Sequence, residues 1–132
     1  MNKLFNILAI FLICLSCSSN QKLTERKNPF HIAFVMGDEE YRSEESMPML
    51  AEILKRELGA EISLCYAMDE NGYVKPNRND HIDNLHTLAN ADLVVFFTRF
   101  RALPDNQLKM ITDYVESGKP IVGFRTSTHM FL

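Results

Sequence analysis

From residue 30 onward, continuous apolar runs alternate with helical spacings along the chain. Phe30-His31-Ile32-Ala33-Phe34-Val35-Met36 is an almost unbroken apolar run ended by Gly37-Asp38, which predicts a buried strand closed by a turn. Leu50, Ile53, Leu54 and Leu58 then recur at helical spacing and predict a helix over Met47 to Leu58. Ser46 is placed to be its N-cap, Pro48 sits in its first turn, and Gly59 suits its exit. Ala60 to Met68 (AEISLCYAM) reads as a second strand, followed by a polar loop over Asp69 to Asn79 and a short helix over His81 to Leu88. Asp92 to Thr98 (DLVVFFT) lacks a polar face and predicts a third strand buried on both sides. Pro104 opens a helix carrying Leu108, Ile111, Tyr114 and Val115, closed by Gly118, and Pro120 to Phe124 is a fourth strand.

Strands and helices in regular alternation predict an α/β fold with a parallel sheet and crossover helices. The expected architecture is a flavodoxin-like three-layer sandwich with strand order 2-1-3-4. In such open sheets a ligand sits beyond the carboxyl ends of the strands, where the strand order reverses. The loops after strands one, three and four carry the polar surprises. The first offers Glu40, Tyr41 and Arg42, the second Arg99 and Arg101, and the third Arg125, Thr126, Ser127, Thr128 and His129. The topology predicts that all of them converge on one crevice.

The N-terminus follows a different pattern. Lys3 precedes an apolar run from Leu4 to Leu15, and small residues follow. That is the order of a secretory signal, and the run is too short for a bilayer span, which needs about 20 residues. Leu15-Ser16-Cys17 resembles a bacterial lipobox, although Cys14 stands where an aliphatic residue is usual. Residues 1–16 are therefore expected to be a lipoprotein signal peptide, with Cys17 lipidated. The polar stretch up to Asn28 is expected to be a flexible tether, with the folded domain over residues 29–132. The expected location is the cell envelope, in the periplasm or at the outer membrane, held by the lipid anchor. A simple cleaved signal or a buried helix remains the plainer alternative. Cys14-Leu15-Ser16-Cys17 also has redox C-x-x-C spacing, but such motifs sit beside a folded βα unit. Cys65, alone in an apolar run, reads as a buried small hydrophobe with no disulfide framework around it.

Composition adds limits. The chain has 132 residues, a formal charge of -3 and 46% hydrophobic residues, which suits one small globular domain. It has no basic stripe for phosphates, so no nucleic-acid partner is expected. His81 and His86 are five apart and do not share a helix face, so neither a metal nor another cofactor is expected. Together with His31 they read as structural residues. Nothing in the chain fixes an oligomeric state.

GDEEYRSEESMP and FFTRFRALPDNQLKMITDYVESGKPIVGFRTSTHMF together resemble the ThuA-like family, named for trehalose utilisation. The resemblance implies a fold like that of class I glutamine amidotransferases and a role in carbohydrate metabolism, with a small-molecule carbohydrate as ligand. It also implies a domain of roughly 200 residues or more, of which residues 29–132 would be the N-terminal part. In true amidotransferases the turn after the fourth strand reads Gly-x-Cys-x-Gly. Here Gly123-Phe124-Arg125-Thr126-Ser127 puts Arg125 at the cysteine position. A guanidinium stays protonated and is no nucleophile, so glutaminase chemistry is not expected. His129 is the expected proton acceptor, since histidine exchanges protons near neutral pH. Glu40 is the expected acid or hydroxyl holder, and Tyr41, Arg42, Arg99, Arg101, Arg125, Thr126, Ser127 and Thr128 are the expected ligand contacts. Two readings stand: an enzyme acting on a sugar or sugar derivative, and a non-catalytic sugar-binding or scaffolding domain. The bland role of the hydroxyls is helix capping, and that of the arginines is pairing with Glu39, Glu40 or Glu44.

Overall fold

The computed structural model describes residues 28–132. The leader, Cys17 and all of the tether but Asn28 lie outside the described residues. Four parallel strands form one sheet: β1 (His31–Gly37), β2 (Glu61–Cys65), β3 (Leu93–Thr98) and β4 (Ile121–Gly123). Their spatial order is β2-β1-β3-β4, the order read from the sequence. β1 is the centre of the sheet, with Ile32 beside Ile62 on one side and beside Leu93 on the other. Every residue of β1 is buried, which is why it shows no polar alternation.

The two faces of the sheet collect separate cores. Helix α1 (Ser43–Leu58) covers one face, where Met47 and Ala51 pack with Ile32, Phe34, Met36 and Val95. Helix α2 (Asp105–Glu116) and a 3₁₀ segment (Leu85–Asn90) cover the other. There Ile111, Tyr114, Leu85 and Leu88 pack with Ala33, Val35, Val94 and Phe96. The result is the expected three-layer α/β sandwich. Among the described residues no helix is long and apolar enough to cross a membrane.

Several boundaries differ from the sequence reading. Helix α1 begins four residues early, with Arg42 rather than Ser46 at its N-cap, so Pro48 lies inside the helix. The cause is tertiary: the Ser43 hydroxyl accepts the N–H groups of Gly37 and Asp38, which ties the first helical residue to the end of β1. Pro48 removes only the bond to the Glu44 carbonyl. β2 is shorter than Ala60 to Met68. Past Cys65 the Tyr66 and Ala67 carbonyls accept from Asp83 and Lys75 instead of continuing a ladder. The helix expected over His81 to Leu88 is displaced to the 3₁₀ segment. Gln107 explains this, because its side chain bonds both the N–H and the carbonyl of Ile82 and so removes them from any helix. The helix expected after β4 is a short 3₁₀ segment, Arg125–His129.

The histidines outside the crevice have structural partners where partners are seen. His31 is buried, with Nε2 2.9 Å from the Ser63 hydroxyl. His81 Nδ1 lies 3.0 Å from Gln107. Cys65 is a free, fully buried thiol.

Candidate functional site

The loop after β1 is shaped by Asp38. This carboxylate is buried, and its Oδ1 accepts the N–H groups of Glu40 and Tyr41 at 2.9 and 3.0 Å. That local turn lifts Glu40 and Tyr41 beyond the end of the sheet. The loop after β3 lies beside it, since the Arg99 N–H bonds the Gly37 carbonyl at 3.0 Å.

The loops after β3 and β4 are zipped together. The N–H groups of Phe100 and Arg101 donate to the His129 and Met130 carbonyls, and the Leu132 N–H donates to the Arg101 carbonyl. This brings His129 beside Phe100, with their rings 6.4 Å apart and edge-on at 75°. Phe100 has φ of 50°, in the left-handed region that a bulky side chain seldom occupies. The backbone is thus held in a costly conformation that leaves its aromatic ring 37% exposed at the crevice.

The crevice has a volume of about 510 Å³ and is lined by Glu40, Tyr41, Arg99, Phe100, Arg125, Thr126, Thr128 and His129. Three loops distant in sequence therefore meet at the carboxyl ends of β1, β3 and β4. Arg99 is ion-paired with Glu40, stands 3.8 Å from Glu39, and lies over the Phe100 ring at 4.5 Å. Arg125 lies over the Tyr41 ring at 5.5 Å. The Thr128 hydroxyl donates to the Arg125 carbonyl at 3.2 Å and is 3.0 Å from His129 Nδ1. Where Nδ1 carries the proton, the Thr128 hydroxyl accepts it and the lone pair stands on Nε2. His129 is exposed, so Nε2 is accessible as a proton acceptor.

Three of the expected contacts fall elsewhere. Arg42 points away and pairs with Glu45 on the outside of α1. Ser127 turns back to the sheet, where its hydroxyl donates to the Phe96 carbonyl at 2.8 Å. Arg101 is only 2% exposed and works as a structural clamp. Its guanidinium donates to the carbonyls of Arg99, Pro76 and Arg78, and lies 3.5 Å from Glu39. Burial pulls its pKa down from the ordinary arginine value, and Glu39 and Asp38 oppose that pull. Thr126 lines the crevice, but its hydroxyl oxygen is buried without a partner. In the short 3₁₀ segment the Ser127 N–H is taken by the Phe124 carbonyl. Phe100 is the wall residue that sequence reasoning missed. Its flanking arginines were the only signal.

A larger depression of about 720 Å³ lies at the opposite, amino end of the strands, beside His31, Ser63 and Asp92. Asn28 and Pro29 form part of its wall, directly after residues outside the described range. Ligand chemistry in this class of sheet belongs at the carboxyl end, where the ionisable and aromatic groups meet. Among the described residues no three His, Cys, Asp or Glu side chains group to hold a metal.

Fold and crevice together define an α/β domain of flavodoxin-like strand order with a polar, aromatic-walled cleft at its switch point. Comparisons with protein-family models, curated proteins and solved structures return no match.

Proposed function

We propose that the crevice binds a small carbohydrate, and that the protein is a lipid-anchored envelope member of the ThuA-like class that handles a disaccharide or sugar derivative. The observation that carries this reading is the pairing of two half-exposed aromatic rings, Tyr41 and Phe100, with Glu40, Arg99, Thr128 and His129 in one cleft. An aromatic face suits the C–H face of a sugar ring, and planar donors and carboxylates suit its hydroxyls. The volume is in the range of small-molecule sites. His129 Nε2 is the group suited to accept a hydroxyl proton. Arg125 at the nucleophile position argues against a covalent acyl intermediate.

A second reading, binding without turnover, is favoured by the ion pair between Glu40 and Arg99. That pair engages the carboxylate with a guanidinium, an arrangement that suits positioning a ligand hydroxyl.

Calorimetric titration of the full chain with a panel of mono- and disaccharides, trehalose included, tests the binding reading. At least one sugar should bind, and both Tyr41→Ala and His129→Ala should weaken it while leaving the circular dichroism unchanged. Product analysis by chromatography then separates the two readings: turnover lost in His129→Ala marks an enzyme, and binding without products marks a module. A well-folded protein that binds no saccharide rejects both.

A further inference from the structure

Three guanidiniums reach the carboxyl end of the sheet, and they are not equivalent. Arg101 is saturated by three backbone carbonyls and Glu39. Arg99 is neutralised by Glu40 and Glu39. Arg125 has neither a carboxylate nor a hydrogen-bond acceptor for its guanidinium among the described residues; its contact is the Tyr41 ring. Contact with an aromatic ring engages the π system of a guanidinium and leaves its in-plane N–H donors available. Beside it on the same wall is Thr126, 9% exposed, whose hydroxyl oxygen has no partner.

Resting on the carbohydrate reading above, we propose that the ligand is an acidic saccharide bearing one carboxylate, which docks on Arg125. A carboxylate is planar and takes two parallel N–H bonds from a guanidinium fork. The charge count favours a monoanion. Two guanidiniums and one carboxylate line the crevice, and these three groups together leave a single positive charge. Glu39, close behind Arg99, works against a dianion such as a sugar phosphate. The ring of the saccharide then lies between Tyr41 and Phe100, with its hydroxyls toward Glu40 and His129.

The test is titration calorimetry on the full chain with glucuronate, glucose and glucose 6-phosphate, repeated on Arg125→Gln and Arg125→Lys. Glucuronate should bind at least about tenfold tighter than glucose, and tighter than the phosphate, as a charge-assisted bidentate contact requires. In Arg125→Gln the ratio of glucuronate to glucose affinity should fall to near one. In Arg125→Lys it should recover only in part, because an ammonium lacks the fork. Equal binding of glucose and glucuronate by the native protein overturns this inference and leaves the carbohydrate reading standing. A preference for the phosphate, or a glucuronate preference that survives Arg125→Gln, also overturns it. Absence of binding by all three sugars in a folded protein counts against both readings.

Discussion

The Arg101 side chain lies directly on Gly37: a β carbon at that glycine would stand 3.0 Å from Arg101 Nη1 and 3.3 Å from its Cδ. The last residue of β1 is therefore bare because a buried guanidinium crosses it. The arginine has little room to retreat, being held by the carbonyls of Arg99, Pro76 and Arg78. Gly37→Ala is expected to cost about 1–3 kcal/mol through overpacking. Urea denaturation measures it, and the cost should shrink in an Arg101→Ala background, since contacting residues couple. Strict additivity of the two substitutions would show that the contact is not the cause.

Arg101 itself should be a stability residue more than a ligand residue. Arg101→Leu leaves the carbonyls of Arg99, Pro76 and Arg78 without this donor. A buried acceptor left unsatisfied costs about 1–3 kcal/mol. Arg101→Lys should recover only part of this, because one ammonium does not reproduce the fork. The readout is the denaturation midpoint. A midpoint unchanged in Arg101→Leu, with ligand binding abolished, would return Arg101 to the binding site.

Phe100 combines an unfavourable backbone with a useful ring. Removing the side chain by Phe100→Ala retains the left-handed φ, whereas Phe100→Gly relieves it. The glycine variant should be more stable than the alanine variant by about 1 kcal/mol. Both should bind saccharide more weakly than the native protein. Thermal melts and titrations on the pair check the two halves separately. A glycine variant no more stable than the alanine variant would mean that the loop relaxes once the ring is gone.

Cys65 gives a pH-dependent expectation. Burial pushes its thiol from 9.0 up to about 12. The folded state then keeps a proton that the unfolded state releases at lower pH. Its contribution to stability is full below the unfolded pKa and is lost as pH rises from about 9 toward 12. Alkaline unfolding of the native protein should therefore be steeper than that of Cys65→Ala. Native Cys65 should also resist iodoacetamide at pH 8 and react once the protein is unfolded, as mapping of the peptide that contains it shows.

Cys17 tests the envelope reading, although it lies outside the described residues. If Cys17 carries the proposed lipid, Cys17→Ser should move the protein from the membrane fraction to the soluble fraction, because stable anchoring takes more than one acyl chain. Mass spectrometry of the native protein should find an acylated N-terminus at Cys17. An unmodified chain beginning at Met1 rejects the anchor.

The strands, their parallel sense and the order 2-1-3-4 were legible because burial on both faces writes itself as unbroken apolar runs, as in Ile32 to Met36 and Leu93 to Phe97. The meeting of Glu40, Arg99, Arg125 and His129 followed from that topology alone, since parallel strands point their carboxyl ends one way. Helix ends were less legible. Ser46 is a good cap by type, but the helix starts earlier, at Ser43, whose hydroxyl accepts two backbone N–H groups at the end of β1. The segment after His81 has helical spacing, but Gln107, 25 residues away, took the backbone groups of Ile82.

Within the site, residue type alone could not separate Arg99, Arg101 and Arg125. All three are arginines in loops at the same end of the sheet, and a guanidinium suits a surface, a buried clamp or an anion contact equally well. The bare surface of Gly37 and the carbonyls of the loop after β2 drew Arg101 inward. The short ladder between Phe100-Arg101 and His129-Met130 turned Phe100 outward. Apolar periodicity is a property of neighbours along the chain, so the sequence by itself determined the layers, the sheet order and the end of the sheet where the polar loops gather. Which side chain faces the crevice and which is buried depends on partners distant in sequence, from Arg78 beside Arg101 to Tyr41 beside Arg125, and only the tertiary structure decided it.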